Sequence, residues 1–595
     1  MTARSVVVIG GGLAGITAAI TLREAGHDVT LIEARPRLGG ATSSFSRGGV
    51  MIDTGQHVFL RCCTSYQELL AQLGVTGSVA MQDRFDVTVL APGGRSARLR
   101  RNRLPAPLHL GATLLGYRFL SLPERLRVLR AALAMRFTDP AAPALDGQRL
   151  GDWLSARGQN ERARRRLWDL FIISSLNIEG DEANTALAAT VLKTGLLLSN
   201  GAADIGVPAV PLGELHGQAA SRLLDRLGAQ VRMTTKAAAV QPDPAGGYRV
   251  QLAAGRDDTG RDDTRGDDTG RDDAAGPDDA GTGAEGTGQG VIRADGVVLA
   301  VPAAQAARLA GAAGVAGAAR WQDLGTSPIV NVHVVYDRKV TSLPFAAAVD
   351  SPVQWVFDRT RISGMHARGD DGQYLAVSLS AADPYVNMSV AELREMFVPA
   401  LADLFPEARP ATVTEFFVTR ERRATFRQVP GTAKLRPKSA TNLPGLALAG
   451  SWTDTGWPDT MEGAVRSGLN AVIALHDQLE AAPNESAATG SRTPGTAPAN
   501  EPAAAPRASD VAAPNGPRGP QGPIERARGP QGRNASSSGS GTKAENSGFA
   551  PVRGAGSGAN AVLEADPVFE VNAVVEEEAV SEVNVTDEDE REVRS

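Results

Sequence analysis

The start of the chain alternates between short apolar runs and turns. Ser5–Ile9 is a β-branched run, typical of a strand that is buried on both faces. A glycine-rich turn follows at Gly10–Gly15, and Ile16–Ala25 has the composition of a helix that ends at Gly26. Val29–Glu33 is a second strand-like run. This order predicts two parallel strands joined by a right-handed helical crossover.

The same segment contains an uncharged stretch long enough to suggest a signal peptide or a membrane span. After Arg4, no charged residue occurs between Ser5 and Leu22. However, a cluster of glycines interrupts this stretch, and strand-like residues begin at once. We therefore predict that the stretch belongs to a folded domain and that the chain does not cross a membrane.

Further along, the apolar pattern predicts a β-rich section that is interrupted by a polar insert. Val231–Val240 and Tyr248–Leu252 alternate as strands do, and Gly296–Val301 returns as a strong strand. Between them, residues 254–290 repeat pairs of aspartates in polar pentads. Such a stretch cannot bury enough apolar surface to offset its ordering entropy, and it lacks the ligand geometry of a calcium loop. We predict a disordered insert within one fold and no metal site.

The middle of the chain, from about 100 to 225, has mostly helical composition, and Ile329–Tyr336 and Val353–Phe357 then predict a second sheet. Within the helical section, residues 98–136 contain nine arginines: Arg98, Arg100, Arg101, Arg103, Arg118, Arg125, Arg127, Arg130 and Arg136. They are interleaved with large apolar residues: Leu104, Leu108, Leu110, Leu114, Leu115, Phe119, Leu120, Leu126, Leu129 and Leu133.

Charge and composition separate two polar sections from the body. The chain of 595 residues has a formal net charge of −6, but the acidic excess lies in the insert and near the end of a Pro-, Gly-, Ala- and Ser-rich section, 483–595. Without them the body is basic, so the overall acidity is not a property of the fold. The two cysteines, Cys62 and Cys63, are adjacent, which excludes a disulfide framework and favours a reducing compartment. We predict a disordered tail over 483–595.

The motif Gly10-x-Gly12-x-x-Gly15 lies between a predicted strand and a predicted helix. In this context Gly10 permits a tight turn, Gly12 lets a pyrophosphate approach the backbone, and Gly15 allows close contact between helix and sheet. The helix N-terminus supplies free N–H groups for the phosphates. The spacing therefore predicts a dinucleotide site.

The residues that follow the second strand indicate which dinucleotide binds. Glu33 would accept hydrogen bonds from the ribose hydroxyls of the adenosine. Ala34–Gly40 resembles the second glycine signature of the flavin amine oxidase and phytoene desaturase superfamily, which lies along FAD, although Ala41 stands where an arginine is usual. Leu448–Gly468 resembles the closing motif of that superfamily, with Ser451 at a position that usually carries an acid.

This resemblance implies the α/β class, with a Rossmann-type, glutathione-reductase-like FAD-binding domain and an interleaved α+β substrate domain. The expected FAD-binding sections are 1–75, 226–310 and 436–482; residues 76–225 form a mainly helical substrate region, and 311–435 form its sheet. The expected cofactor-binding residues are Gly10, Gly12, Leu13, Ala14, Gly15, Glu33, Ala34, Arg35, Gly39, Gly40, Gly450, Ser451, Met461, Glu462, Gly463 and Ala464.

Other stretches resemble a narrower family. Asp53–His57, Ser175–Asn177 and Pro328–His333 are similar to the squalene-associated FAD-dependent desaturases, better described as hydroxysqualene dehydroxylases of hopanoid synthesis. The resemblance spans most of 1–253 and 291–478. It implies that an allylic C–OH of hydroxysqualene is replaced by C–H, with hydride from reduced flavin, to give squalene and water. The electron donor that reduces the flavin stays unassigned.

The implied reaction requires a proton for the leaving hydroxyl and an apolar pocket that excludes water. His57 is the first candidate for the proton donor, because an ordinary imidazole pKa suits acid catalysis near neutrality; alternatively, it only hydrogen-bonds backbone beneath the flavin. Gln56 is a candidate for orienting the flavin or the hydroxyl. Four aromatic residues either line a hydrocarbon tunnel or belong to the core: Trp355, Phe357, Trp452 and Trp457.

Three other functions stay open: a carotenoid or squalene desaturase that runs the redox chemistry in the opposite direction, an amine oxidase, and a flavin-binding scaffold without activity. No feature points to nucleic acid. Because the implied isoprenoid substrate resides in a bilayer, we expect a cytoplasmic protein that binds an anionic membrane surface peripherally through residues 98–136.

Overall fold

The computed structural model describes residues 3–253, 290–368 and 371–481. The predicted insert, apart from Gly290, and the predicted tail lie outside the described residues. The strands are β1 (Ser5–Ile9), β2 (Asp28–Ile32), β3 (Ser44–Arg47), β4 (Val50–Asp53), β5 (Phe59–Leu60), β6 (Val79–Met81), β7 (Asp86–Ala91), β8 (Arg95–Arg100), β9 (Ile205–Pro208), β10 (Gln230–Arg232), β11 (Ala237–Pro242), β12 (Tyr248–Leu252), β13 (Val291–Ala294), β14 (Gly296–Leu299), β15 (Ser327–Tyr336), β16 (Phe345–Ala348), β17 (Trp355–Asp358), β18 (Gln373–Leu379), β19 (Val413–Thr425) and β20 (Leu446–Leu448). The α-helices are α1 (Leu13–Glu24), α2 (Thr64–Gln72), α3 (Gly111–Gly116), α4 (Leu122–Phe137), α5 (Pro143–Asp146), α6 (Leu150–Ser155), α7 (Glu161–Ala163), α8 (Asp169–Leu176), α9 (Thr185–Leu192), α10 (Ala219–Arg226), α11 (Ala303–Ala313), α12 (Val390–Leu404) and α13 (Met461–Ala481).

A parallel sheet of five strands, in the order β10-β2-β1-β14-β20, confirms the predicted β-turn-α-β unit. Its central strand, β1, pairs with β2 on one side and with β14 on the other. Strands β1, β14 and β20 are almost entirely buried, as expected for a parallel sheet covered on both faces. Helices α1 and α13 pack together on one face, where a Cβ at Gly468 would lie 2.4 Å from the carbonyl oxygen of Ala14. The crossing is therefore a backbone-to-backbone contact.

A second sheet has seven strands in the order β19-β15-β18-β17-β16-β7-β8 and is antiparallel except between β16 and β7. Helix α12 covers one face with Leu393, Phe397 and Leu401. Side chains alternate along a strand, so Asn331 and His333 of β15 point to the opposite face. This face is the one that meets the site described below.

The structure corrects three predicted elements. The run predicted as one strand over Val231–Val240 divides into β10, in the parallel sheet, and β11, in a separate antiparallel sheet with β12 and β13. Strand β13 was missed because Val291–Ala294 is short and half of its residues are exposed. Strands β7 and β8 lie in the section predicted to be mainly helical, and they extend the seven-stranded sheet.

The insert connects two neighbouring strands of that small antiparallel sheet. Strand β12 pairs with β13, and the N–H of Leu252 donates to the carbonyl oxygen of Gly290 at 2.9 Å. The two ends of the insert are therefore held side by side. Among the described residues, no helix combines the length and apolarity needed to span a bilayer, and no cluster of three or more acidic, histidine or cysteine ligands could hold a metal ion.

Candidate cofactor and substrate site

The first glycine loop joins β1 to α1 and is shaped by close backbone contacts. Gly10 has a φ of +108°, and a Cβ there would lie 2.3 Å from the carbonyl oxygen of Ala300. A Cβ at Gly15 would lie 1.9 Å from the carbonyl oxygen of Gly10. At Gly12 the nearest atom to an added Cβ is the Cα of Gly40, 4.0 Å away. The fold therefore requires glycine at positions 10 and 15, whereas Gly12 leaves room for a ligand beside the backbone.

The N-terminus of α1 offers unpaired N–H groups to an anion. Gly12 is the N-cap residue, and no side chain of the described residues caps this end. Leu13 and Ala14 lie in the first turn, ahead of the N–H of Ile16, which donates to the carbonyl oxygen of Gly12 at 2.9 Å. The free N–H groups and the positive end of the helix dipole favour a pyrophosphate at this position.

Glu33 follows β2 and lies beside the same loop. Its carboxylate accepts hydrogen bonds from the N–H of Gly11, at 2.6 Å, and the N–H of Arg35, at 2.8 Å. These bonds hold the carboxylate at the carboxyl edge of the parallel sheet. The predicted contact of Glu33 with the ribose requires the carboxylate to lie there. Ala34 and the side chain of Arg35 are exposed, so the backbone of this segment shapes the site.

Gly39 and Gly40 bring a second glycine loop against the first. The N–H of Gly39 donates to the carbonyl oxygen of Gly11 at 2.8 Å. Gly39 and Gly40 have φ angles of +109° and +58°, and a Cβ at Gly40 would lie 3.0 Å from the Cα of Gly12. Glycine is therefore required at both positions, and the two loops form one backbone surface.

The C-terminal loop, defined as residues 449–460 between β20 and α13, supplies the next part of the site. Gly450 has a φ of +137°, and its N–H donates to Oγ of Ser467 at 2.8 Å. Ser451 is partly buried, and its side chain hydrogen-bonds Asp459. Gly463 lies in the first turn of α13 with Met461 and Ala464, and a Cβ at Gly463 would lie 2.4 Å from the carbonyl oxygen of Pro458 in the loop. Loop and helix are thus in direct backbone contact.

Glu462, predicted to bind the cofactor, has its side chain directed elsewhere. Its buried carboxylate accepts the N–H groups of Ser65, at 3.3 Å, and Tyr66, at 2.8 Å, at the start of α2. It also pairs with Arg466 at 2.7 Å. The carboxylate thus stabilises the N-terminus of α2, and the backbone of Glu462 is left for a ligand; cofactor binding by Glu462 stays a prediction.

A polar cluster, defined as Ser43, Gln56, His57 and Asn331, is centred on Thr54. Oγ1 of Thr54 donates to the carbonyl oxygen of Ala41 at 2.7 Å and accepts the N–H of Ser43 at 3.3 Å. The side-chain amide of Asn331 donates to the carbonyl oxygen of Thr54 at 3.4 Å. These bonds join the second glycine loop, the motif that ends at residue 57 and strand β15.

The polar cluster contains side-chain atoms that are shielded from solvent but have no partner among the described residues. They are Oγ of Ser43, both amide atoms of Gln56, Nδ1 of His57 and Oδ1 of Asn331. Buried polar atoms cost free energy unless they are hydrogen-bonded. A ligand with polar atoms at this position would satisfy them.

The environment of His57 changes its expected acid strength. Burial lowers its pKa, and the nearby Arg359 guanidinium adds to the effect, while the backbone at Gly55 and the carboxylate of Asp53 oppose it. The imidazole of His57 therefore favours its neutral form more than an ordinary histidine does, which corrects the expectation of an ordinary pKa. Whether His57 donates the proton stays a prediction.

Two buried groups near His57 were missed at the level of sequence. His216 hydrogen-bonds the hydroxyl of Tyr66 at 2.7 Å, and burial, followed by repulsion from His57, lowers the pKa of His216 to about 4. Asp53 forms a buried ion pair with Arg359 and accepts Oγ–H of Ser44 at 2.6 Å. Tyr66 and Arg359 lie far from His216 and Asp53 in sequence, so no local spacing signals these two contacts.

An apolar cluster begins immediately after His57. Val58 packs against this cluster. Asn331, Ser378 and Trp355 lie in one row across β15, β18 and β17, so the backbone of Trp355 is about 10 Å from that of Asn331. The cluster continues through Phe357 to the helices, where an apolar cavity of about 50 Å³ is lined by Phe85, Leu99, Leu110, Thr113, Leu114, Val128, Ala132, Leu167, Trp168, Phe171, Leu192, Leu196 and Leu197. Polar and apolar surfaces therefore meet at His57.

Trp452, considered above as a tunnel residue, belongs to the core. Its ring lies 5.3 Å from that of Trp321, and its Nε1–H donates to the carbonyl oxygen of Val301 at 3.0 Å. Trp457 is buried under the guanidinium of Arg466, at 4.6 Å. Trp355 and Phe357 are the aromatic pair that faces the site.

The residues present fit a flavin dinucleotide. Gly12 and the first turn of α1 can hold the pyrophosphate, and Glu33 can hold the ribose. The C-terminal loop can hold the far end of the dinucleotide. The unpaired atoms of the polar cluster match a group with several donors and acceptors on an otherwise apolar ring, as a flavin has.

Comparisons with known proteins agree with this fit. The model of the family described as flavin containing amine oxidoreductase matches residues 13–267 and 273–476. The 15-cis-phytoene desaturase of Narcissus pseudonarcissus is 24% identical over 484 residues, covering 78% of each chain. The zeta-carotene desaturase of Zea mays is 24% identical over 508 residues, covering 78% of this chain and 82% of the relative.

Solved structures show the same fold. Cyclohexylamine oxidase from Brevibacterium oxydans superposes with a TM-score of 0.57 at 19% identity, covering 80% of this chain and all of the other. A variant of putrescine oxidase superposes with a TM-score of 0.56 at 19% identity, covering 80% of this chain and 99% of the other. Together with the site geometry, these findings confirm an FAD-dependent oxidoreductase.

Proposed function

Because the chain belongs to the flavin containing amine oxidoreductase family, we propose that it reduces hydroxysqualene to squalene by dehydroxylation. One observation carries the proposal: the polar cluster and the apolar cluster meet at His57. A matching substrate is apolar along most of its length and has a polar atom at one point. An allylic alcohol of a linear triterpene has this chemistry.

FAD, when bound and reduced, supplies the hydride. The side chains of this protein must then bind the hydroxyl, provide a proton for the departing water and keep bulk water out. The side-chain amide of Gln56 has an unpaired donor and an unpaired acceptor, so it can either donate a hydrogen bond to the hydroxyl or accept one from it. His57 can deliver a proton only in its protonated form, which its lowered pKa makes scarce at pH 7. If His57 is the acid, turnover should therefore rise as the pH falls below 6.5.

Desaturation of a carotenoid or of squalene is the second candidate, and the similarity to phytoene and zeta-carotene desaturases favours it. In that reaction the substrate loses hydride and brings no hydroxyl, so the flavin alone would have to satisfy the polar cluster. An amine substrate would bring a cation, but Asp53 beside the cluster is already paired with Arg359.

An anionic membrane surface is the proposed source of the substrate. Most of the exposed large apolar side chains among the described residues lie together: Leu104, Leu108, Leu115, Leu122, Leu126, Leu133, Phe137 and Leu198. Arg118, Arg127 and Arg130 are exposed between them. We call these residues the apolar–basic surface. Arginine stems can lie on such a surface while their charged ends reach lipid phosphates.

The structure also corrects the residues expected at this surface. Leu110, Phe119 and Leu120 are buried in the core. Arg101 is bonded to Asp204, and Arg125 donates to backbone carbonyls, at 2.6 Å to Leu115. The apolar cavity lined in part by α3 and α4 lies beneath the same helices, which supports a path for a lipid substrate toward the apolar cluster.

A product assay in both redox directions tests the proposal. Anaerobically reduced protein is incubated with hydroxysqualene, and oxidised protein with phytoene or squalene, followed by lipid chromatography. We expect squalene from the first mixture and no new polyene from the second. His366→Ala, which alters an exposed histidine, is the matched control for His57→Ala. Polyene formation without squalene would favour the desaturase.

A further inference from the structure

Arg436 is a buried arginine whose contacts converge on the C-terminal loop. It is 7% exposed and follows a short turn at Thr432–Lys434. Its Nε–H donates to the carbonyl oxygens of Thr453, at 3.0 Å, and Trp452, at 3.4 Å. An Nη2–H donates to the carbonyl oxygens of Ser451, at 3.0 Å, and Trp457, at 2.8 Å. One guanidinium thus fixes four peptide groups of a single loop.

The charge of this guanidinium has no directly bonded counter-ion among the described residues. Asp459 and Asp454 act on it through space, and the ring of Phe426 lies 5.1 Å from its central carbon. Burial lowers the pKa of Arg436, yet an arginine stays protonated in proteins. Burial also raises the pKa of Asp459, which favours its neutral form and so weakens its compensation of the positive charge on Arg436. A positive charge is therefore held behind the loop in a medium where it acts strongly.

The bonded carbonyls also set the direction of the loop's donors. In a trans peptide the N–H points opposite to the C=O. The carbonyl of Ser451 faces Arg436, so the N–H of Trp452 points away from it, and this N–H has no partner among the described residues. A carbonyl bound to a cation polarises its peptide and strengthens the opposite N–H as a donor.

We propose that Arg436 is a positioning residue of the flavin site: it holds the C-terminal loop in the shape that FAD binding requires, and its charge favours the electron-rich reduced flavin. The fork of five N–H groups supplies the first effect, and the positive charge supplies the second. The inference depends on FAD and on this loop alone. It stands whichever isoprenoid reaction the protein performs.

Arg436→Lys and Arg436→Gln separate the two effects, since lysine keeps the charge without the fork and glutamine loses both. Arg101→Gln is the matched control: Arg101 is partly buried, and its guanidinium donates to Asp204, Asn200 and the backbone of Asp83, none of which belongs to the C-terminal loop. For each protein we would measure the FAD dissociation constant, the midpoint potential by dye equilibration, and thermal unfolding.

We expect FAD to bind about ten- to a hundredfold more weakly in both Arg436 variants, as the loss of charge-assisted hydrogen bonds implies. The midpoint potential should fall in Arg436→Gln by about 30 mV or more, a tenfold change in a two-electron equilibrium. It should stay near the wild-type value in Arg436→Lys and Arg101→Gln. Unchanged FAD affinity in both Arg436 variants, or equal potentials in the lysine and glutamine variants, would overturn the proposal.

Discussion

Gly12 gives the sharpest test of where the dinucleotide binds, because the structure separates its role from that of Gly15. Gly12 has a φ of −75° and a ψ of 177°, which any residue adopts, and an added Cβ meets nothing closer than 4.0 Å. Gly12→Ala and Gly12→Glu should therefore fold. Gly15→Ala would place a Cβ 1.9 Å from a carbonyl oxygen and should disrupt the loop itself.

The expected magnitudes follow from these contacts. Without FAD, Gly12→Ala should cost about 1 kcal/mol or less, since alanine is a poorer N-cap residue than glycine. In wild-type protein, FAD at a hundred times its dissociation constant should add about 2.7 kcal/mol of stability. In Gly12→Glu this gain should disappear, because a carboxylate would occupy the phosphate position at the helix N-terminus.

Thermal unfolding with and without excess FAD, together with flavin absorbance after gel filtration, measures both quantities. Gly12→Glu should unfold near the temperature of the wild-type apoprotein and remain colourless, whereas Gly15→Ala should unfold earlier even without FAD. If Gly12→Glu retains stoichiometric FAD, the pyrophosphate does not lie at this loop.

Four further outcomes are expected. His57→Ala should keep FAD but lose about 10²–10⁴-fold of the dehydroxylation rate, the usual contribution of a general acid; near-normal turnover would leave His57 a structural role. Replacing residues 254–290 by a short turn and removing 483–595 should preserve flavin and activity, since Leu252 and Gly290 are already adjacent; loss of flavin would contradict this. Changing the three arginines of the apolar–basic surface to glutamate should abolish flotation with anionic liposomes, and added salt should weaken flotation of the wild type; unchanged flotation of the variant would exclude this surface. His216, with a pKa of about 4 against 6.5 when unfolded, favours folding above pH 6.5 and loses this contribution as the pH falls toward 4, so His216→Gln should flatten the acid limb of a stability–pH curve.

Patterns among neighbouring residues predicted the part of the site that is formed by one continuous stretch of backbone. The β-branched run before Gly10, the glycine spacing and Glu33 lie within one β-turn-α-β unit, and the parallel pairing of β1 with β2 follows from that order. The positions of Gly39 and Gly40 were predicted from resemblance, and their positive φ angles explain why glycine is needed there.

Contacts between distant segments could not be predicted in this way. Asp53 and Arg359 are 306 positions apart, and the partners of His216 and Arg436 likewise come from other elements of the fold. Strand β13 was missed because it is only four residues long and two of them, Val291 and Arg293, are exposed. The contact of the Glu462 carboxylate with the start of α2 likewise joins segments that are 396 positions apart.

Single-turnover reaction with hydroxysqualene tests the central claim most directly. Photoreduced protein is mixed anaerobically with hydroxysqualene in liposomes, flavin absorbance is followed, and lipids are extracted at intervals. We predict that the oxidised flavin spectrum returns as squalene forms, with one squalene per flavin reoxidised and, when the reaction is run in D2O so that N5 of the reduced flavin carries deuterium, with one deuterium on carbon in the product. Flavin that stays reduced while hydroxysqualene is recovered unchanged would contradict the proposed dehydroxylation.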